Sequence, residues 1–228
     1  MESVGYHDEL WRSLPRGLPP AHRQLRERFL RERYRSLAGE SDRPLATEPS
    51  RPPLGGVPRV LDLGCGEGHF AGVLRDEGAE VVGVEVAQEA VRRAQAAHPG
   101  LDVRLVAPGG PWPFEDSFFD LVWAGEVIEH VADTQAWLSE VRRVLRSGGV
   151  LVLSTPDHGP LSILAMALRP SRFDACFDPR SDHLRFYTRR SLALLLGDFG
   201  FCEVTVRGAG GVPGARAVLL AYARRGRF

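Results

Sequence analysis

The sequence predicts an α/β protein: a doubly wound, mostly parallel sheet of seven strands, the last of them antiparallel, with helical caps. Three observations predict it. From position 57 onward, short apolar runs alternate with longer stretches of helical period, the pattern of a parallel sheet between two helical layers. At 60–70 (VLDLGCGEGHF) a strand runs into a glycine-punctuated loop and then a helix. The final two strand-like runs are joined only by a glycine-rich link at 208–214, which suits an antiparallel edge.

Residues 1–20 hold Tyr6, Leu10, Trp11 and Leu14 among polar residues, before a proline-rich turn. A helix is expected over 21–37, with Leu25, Phe29, Leu30, Tyr34 and Leu37 on one broad side. Its arginines (Arg23, Arg26, Arg28, Arg31, Arg33, Arg35) are interleaved with Glu27 and Glu32 and read as a solvated face, in preference to an RNA-binding one. Positions 39–58 have the proline, glycine and serine content of a linker. Residues 1–56 are therefore an expected helical cap and linker, and 57–228 the core.

Within the core, strands are expected at 57–63, 80–86, 101–107, 119–124, 149–154, 202–207 and 217–222. Helices are expected at 70–77, 88–98, 134–145 and 191–199, the last stopped by Gly200. Positions 157–187 break the alternation and read as an inserted cap. Ligands of such sheets lie beyond the carboxyl ends of the strands, at the switch point.

Composition narrows the classes. The 228 residues are 43% hydrophobic and 25% charged, with formal net charge +0; that balance suits a globular protein and gives no reason to expect a polyanionic partner. Cys65, Cys176 and Cys202 are far apart and form no Cys-x-x-Cys pair, so neither a disulfide framework nor a zinc site is indicated. No leader is recognisable at 1–10 and no apolar run approaches the ~18 residues of a membrane span. The expectation is a cytoplasmic protein with no membrane and no nucleic-acid partner.

In the loop, Gly64, Gly66 and Gly68 allow positive φ and close approach of a ligand to the backbone. The following helix N-terminus favours an anionic ligand group. Where the dinucleotide fingerprint wants a third glycine the chain has His69, which argues against NAD or FAD. Seventeen residues after Gly68, at the end of the second strand, stands Glu85, whose carboxylate can accept two hydrogen bonds from a ribose diol.

Further on come PFEDSFFDLVWAGEVIEHV at 113–131 and VRRVLRSGGV at 141–150. In this order, with the glycine loop and Glu85, they resemble the class I S-adenosylmethionine-dependent methyltransferases. They are most similar to the small-molecule branch that includes ubiquinone-type O-methyltransferases. The resemblance spans about 57–207 and implies a Rossmann-like core with S-adenosylmethionine as cofactor and S-adenosylhomocysteine as product. It implies that Asp62, Gly64, Cys65, Gly66 and Gly68 line the methionine part of the cofactor, Glu85 holds the ribose and Val86 packs on adenine. Ala124, Gly125 and Glu126 would lie near the sulfonium. Many relatives carry an acid for the adenine amino group after the third strand; this chain has Pro108 there, leaving backbone of Ala107 and Gly109 for that contact. An Asn/Asp-Pro-Pro-Tyr motif is missing after strand four, and Asp120 lies too early on that strand for a metal-dependent catechol site, so no metal is expected.

Methyl transfer from a sulfonium is an in-line displacement, and a hydroxyl acceptor must also lose a proton. Histidine suits that work, because its ordinary pKa is near working pH. The candidates are His130, His158 and His183, each of which can instead hold a loop. Tyr6 and Trp11 can close over the cofactor or pack on the sheet. Phe173, Phe177, Phe186 and Tyr187 make the cap aromatic, as substrate walls or as cap core, with Arg172, Asp174, Asp178 and Arg180 interspersed. The reading is a methyltransferase, monomer or homodimer, acting on a hydroxyl of a small organic acceptor. An RNA or protein methyltransferase, or a cofactor-binding subunit without turnover, is the alternative.

Overall fold

The computed structural model describes residues 4–39, 56–108, 110–178 and 181–226. Gly109 and Arg180 lie outside them, as does the side chain of Arg172. The core alternates β1 (Arg59–Leu63), α3 (His69–Asp76), β2 (Glu80–Glu85), α4 (Gln88–Ala97), β3 (Asp102–Leu105), β4 (Phe119–Gly125), α5 (Thr134–Val144) and β5 (Leu145–Pro156). Then come α6 (Pro160–Ala167), α7 (Pro170–Cys176), α8 (Arg189–Asp198), β6 (Phe201–Ala209) and β7 (Val218–Arg225). Ahead of the core lie α1 (Val4–Ser13) and α2 (Arg23–Ala38).

The seven strands are ordered β3-β2-β1-β4-β5-β7-β6. β1 pairs in parallel with β2 on one side and β4 on the other, so the order reverses at its carboxyl end, where the glycine loop begins. β7 runs antiparallel to both β5 and β6. β5 starts earlier than the expected position 149, because Leu145 already pairs with Phe119; a register shift then brings Leu121 opposite Val150. Gly148, at φ 70, lies in that irregular stretch, which ends α5 one residue early.

Alternation along β4 sorts its side chains into two layers. Val122 and Ala124 face a cluster with Leu138, Val141 and Leu196. Leu121 and Trp123 face a second cluster with Phe70, Leu74 and, from α2, Phe29, Leu30 and Tyr34. α2 is thus a layer helix of the core, so packing does not follow the division expected at 56/57. Its arginine face needs correcting too. Arg26 (3% exposed) and Arg33 (7%) are buried. The guanidinium of Arg26 lies 4.7 Å from the Phe70 ring centre, and that of Arg33 lies 4.9 Å from Tyr222. Stacking on aromatic faces offsets part of the desolvation cost of a buried cation. Of the rest, Arg31 and Arg35 pair with Glu77, Arg28 with Glu32 and Arg23 with Glu27.

The insert between β5 and α8 leaves and rejoins the sheet at one point, a parallel bridge between Asp157 and Tyr187. It is pinned to the turn after β4, where Leu184 and Arg185 N–H both donate to the Glu129 carbonyl (2.7 and 3.0 Å).

Candidate active site

The glycine loop needs its glycines. Gly64, Gly66 and Gly68 have φ of 71, 53 and 82°, and a Cβ at Gly64 would stand 2.6 Å from Val127 Cγ2. The loop is hung from β2: Gly64 and Cys65 N–H donate to the Val84 carbonyl at 2.9 and 3.0 Å. Glu85 braces it as well, accepting from the N–H of Gly66 (3.0 Å), Val86 (2.7 Å) and Ala87 (3.2 Å). The sequence suggests only a ribose role for this carboxylate. Its remaining lone pairs still suit a diol. The Cys65 thiol turns into the core beside Gly83 and Val103, where burial pushes its pKa well up.

Asp62 lies beneath this loop at 1% exposure. Burial pushes its carboxyl up to about 7, against the Ala71 amide and the charge of Arg26. Among the described residues its Oδ2 has no partner. An orphaned buried carboxylate oxygen beside a glycine-rich loop fits a ligand with a cationic amine, as S-adenosylmethionine has. Ala107 follows β3 as an exposed residue, and Val86 is half-buried just after β2.

At the end of β4, Ala124 is buried, Gly125 has room for no side chain, and Glu126 adopts φ 59°. A Cβ at Gly125 would collide with the guanidinium of Arg26. Glu126 is held in its left-handed conformation by β5: its N–H donates to the Ser154 carbonyl at 2.9 Å, and Ser154 Oγ donates to its carboxylate at 2.7 Å. Arg26, expected on a solvated face, reaches this corner of the sheet. Burial lowers its pKa, while the charges of Glu126, Glu129 and Asp62 raise it, so this cation sits among three carboxyl groups. The signal was available, since 26, 29, 30 and 33 follow the helical period of the buried face.

Beyond β4 a short 3-10 turn (Ile128–His130) presents Glu129 and His130. Glu129 is fully buried; Thr155 Oγ1 donates to its Oε2 at 2.9 Å, while Oε1 makes no hydrogen bond among the described residues and lies 4.0 Å from His130 Nε2. Burial, then the charge of Glu126, pushes this carboxyl up. His130 Nδ1 lies 3.2 Å from Asp182 Oδ2 and 3.0 Å from the Asp182 carbonyl. Burial works against its charged form, but the hydrogen bond to Asp182 and the charges of Glu129 and Asp182 outweigh it and raise its pKa. The His183 ring stands edge-on to it at 4.8 Å, and burial, then the charge of His130, lowers the His183 pKa. Glu129, His130 and His183 offer ligand atoms within 4.8 Å of one another, a group able to hold a metal ion. The expectation of no metal did not weigh these residues. Asp120, which it did weigh, accepts from Arg59 N–H and pairs with Arg146 at the far end of β4.

His158 lies within electrostatic reach of this trio: burial, then the charge of His183, lowers its pKa. It is 8% exposed, its Nε2 lies 3.6 Å from Cys176 Sγ, and the Phe186 ring packs on it at 4.9 Å. Those contacts make it a residue of the cap's seat. Tyr187, expected as a substrate wall, is buried in the core cluster with its hydroxyl 3.4 Å from the Ile128 carbonyl. Phe177 and Phe186 do face outward, half-exposed, with their rings tilted against each other at 5.3 Å. Trp11 packs against the glycine loop, 3.0 Å from where a Gly66 Cβ would stand, while Tyr6 is exposed beside His7.

A sheet of this order, with a glycine loop after β1, an acid at the end of β2 and an orphaned acid under the loop, defines a class I S-adenosylmethionine-dependent methyltransferase. A family model described as a methyltransferase domain matches residues 21–206. The ubiquinone biosynthesis O-methyltransferase of Ruegeria sp. (strain TM1040) is 34% identical over 183 residues, 75% of this chain and 70% of that protein. Its namesake in Ruegeria pomeroyi is 35% identical over 185 residues, covering 76% and 70%. The chain belongs to this methyltransferase family. Among solved structures, a Pyrococcus horikoshii OT3 protein aligns at TM-score 0.66 and 19% identity over 95% of this chain and 98% of that one. A SAM-dependent methyltransferase from Archaeoglobus fulgidus aligns at 0.62 and 16%, over 98% and 100%. Both share the fold. No described helix is long and apolar enough to cross a membrane.

Proposed function

We propose that the chain methylates a hydroxyl of a small organic acceptor, with His130 taking the acceptor's proton. The observation that carries this reading is the pairing of His130 Nδ1 with Asp182 (3.2 Å) at the carboxyl end of β4. With Nδ1–H donating to Asp182, Nε2, which lies 4.0 Å from Glu129 Oε1, keeps its lone pair and acts as base. The Ruegeria relatives, named as O-methyltransferases, support a hydroxyl acceptor. The RNA reading loses its only feature, because the arginines of α2 are buried or paired with glutamates.

Bound S-adenosylmethionine supplies an electrophilic methyl group on a sulfonium. Asp62, the glycine loop and Glu85 are the residues that would hold it. Orientation of this kind contributes ~7–11 kcal/mol to lowering a barrier, and a positioned base adds ~10²–10⁴-fold. Phe177 and Phe186 give the acceptor entrance an aromatic wall. The test is a panel of catechols, phenols and arylamines with S-adenosylmethionine, products identified by mass spectrometry. Oxygen-methylated product matched by S-adenosylhomocysteine supports the reading; methylation of the amines alone overturns it.

A further inference from the structure

α1 contributes to neither core layer. None of residues 5–20 is buried, and an isolated helix of ten residues is not stable in water. Leu10, Trp11 and Leu14 are only half-buried, and the polar contacts that hold α1 centre on Arg93 of α4, itself 7% exposed. Arg93 Nε donates to Glu89 (2.8 Å), and its Nη1 donates both to the Leu14 carbonyl and to Glu67 (3.1 Å each). Its guanidinium lies 6.0 Å from the Trp11 ring centre. Glu67 stands inside the glycine loop, and its other oxygen accepts from Gly17 N–H at 2.8 Å. Asp8 of α1 accepts from Glu89 N–H at 2.9 Å, in the first turn of α4. One buried guanidinium therefore joins three things: the chain leaving α1, the loop that holds the cofactor, and the helix that follows Glu85.

We propose that Arg93 is a positioning residue for the cofactor: with Glu67 it clasps α1 and Trp11 shut over the glycine loop. Arginine suits the task because its rigid fork serves several acceptors at once, which a lysine cannot do. Opening the clasp releases α1, since little apolar burial retains it. Cofactor exchange then becomes faster, while the groups around His130 are untouched.

Trp112, Trp123 and Trp137 are at most 4% exposed, so the emission that iodide quenches comes from half-buried Trp11. The experiment measures iodide quenching and S-adenosylhomocysteine binding in wild type, Arg93→Met, which keeps the apolar stem, and Glu67→Gln, which keeps an acceptor for Gly17. In wild type, S-adenosylhomocysteine should shield Trp11. Both variants should expose Trp11 without ligand, release S-adenosylhomocysteine about tenfold faster and raise its Kd by a similar factor. Arg93→Met should also raise KM for S-adenosylmethionine without lowering kcat. Unchanged release with Trp11 as shielded as before would overturn the clasp. Tighter binding in the variants would overturn it too, by making α1 an obstacle. Wild type that binds no S-adenosylhomocysteine would instead contradict the cofactor site itself.

Discussion

Asp62 is the residue where burial and charge conflict most. Its folded pKa of about 7 lies above the ordinary 3.8, so the folded protein keeps a proton that the unfolded chain gives up in between. That contribution to stability is full below pH 3.8 and is lost as pH rises towards 7. A cationic ligand beside the orphaned Oδ2 reverses the balance and drives the proton off. Binding of S-adenosylmethionine near pH 6 should therefore release a proton, seen by calorimetry as an enthalpy that varies with the buffer's ionisation heat. Asp62→Asn should flatten that dependence, and equal variation in both proteins would remove Asp62 from the site. Burial works against the His130 cation, but the hydrogen bond to Asp182 and the charges of Glu129 and Asp182 outweigh it, so its pKa lies above the ordinary 6.5. The kcat/KM profile should then rise with pH through an inflection above 6.5. Asp182→Asn should move that inflection to lower pH and reduce turnover by loosening the ring. An unmoved inflection would assign the titration to another group.

At the scale of elements, α2 shows what periodicity can and cannot reveal. Its apolar side was legible at Phe29, Leu30 and Tyr34, which are fully buried, but Leu25, expected on the same side, is 38% exposed. The burial of Arg26 and Arg33 was not legible, because arginine is assigned to solvent unless the aromatic faces that receive it are known, and Phe70, Trp123 and Tyr222 come from distant parts of the chain. Phe29→Ala should cost about 3–5 kcal/mol in urea unfolding; a loss below about 1 kcal/mol would make α2 the detachable cap that the sequence suggests. In the glycine loop, Gly66→Val places a branched side chain at φ 53° and against Trp11. It should abolish S-adenosylhomocysteine binding by calorimetry while the rest of the sheet remains folded. Wild-type affinity would mean that the loop is not the cofactor's seat. The cap was legible as an insert but not in its facing. Tyr187 turns inward because it rejoins the sheet by its bridge to Asp157, whereas Phe186, one residue earlier, points the other way.

Across the whole molecule, the sequence carried the parts that depend on local pattern: seven strands, the parallel order around β1 and the antiparallel β7. It did not carry what depends on meetings between distant segments. The bond from Asp182 to His130 joins residues 52 apart, and the Arg93 contact to Leu14 joins residues 79 apart. Glu129 was passed over because, in sequence, an acid beside His130 is only half of a motif; its burial and its orphaned oxygen exist only in the fold. The most direct test of the account is single-turnover methyl transfer to a hydroxyl acceptor at saturating S-adenosylmethionine, in wild type and His130→Gln. The account predicts a loss of ~10²–10⁴-fold in the transfer step, with S-adenosylhomocysteine affinity unchanged. Transfer at the wild-type rate, or a parallel loss of affinity and rate, would contradict His130 as the base.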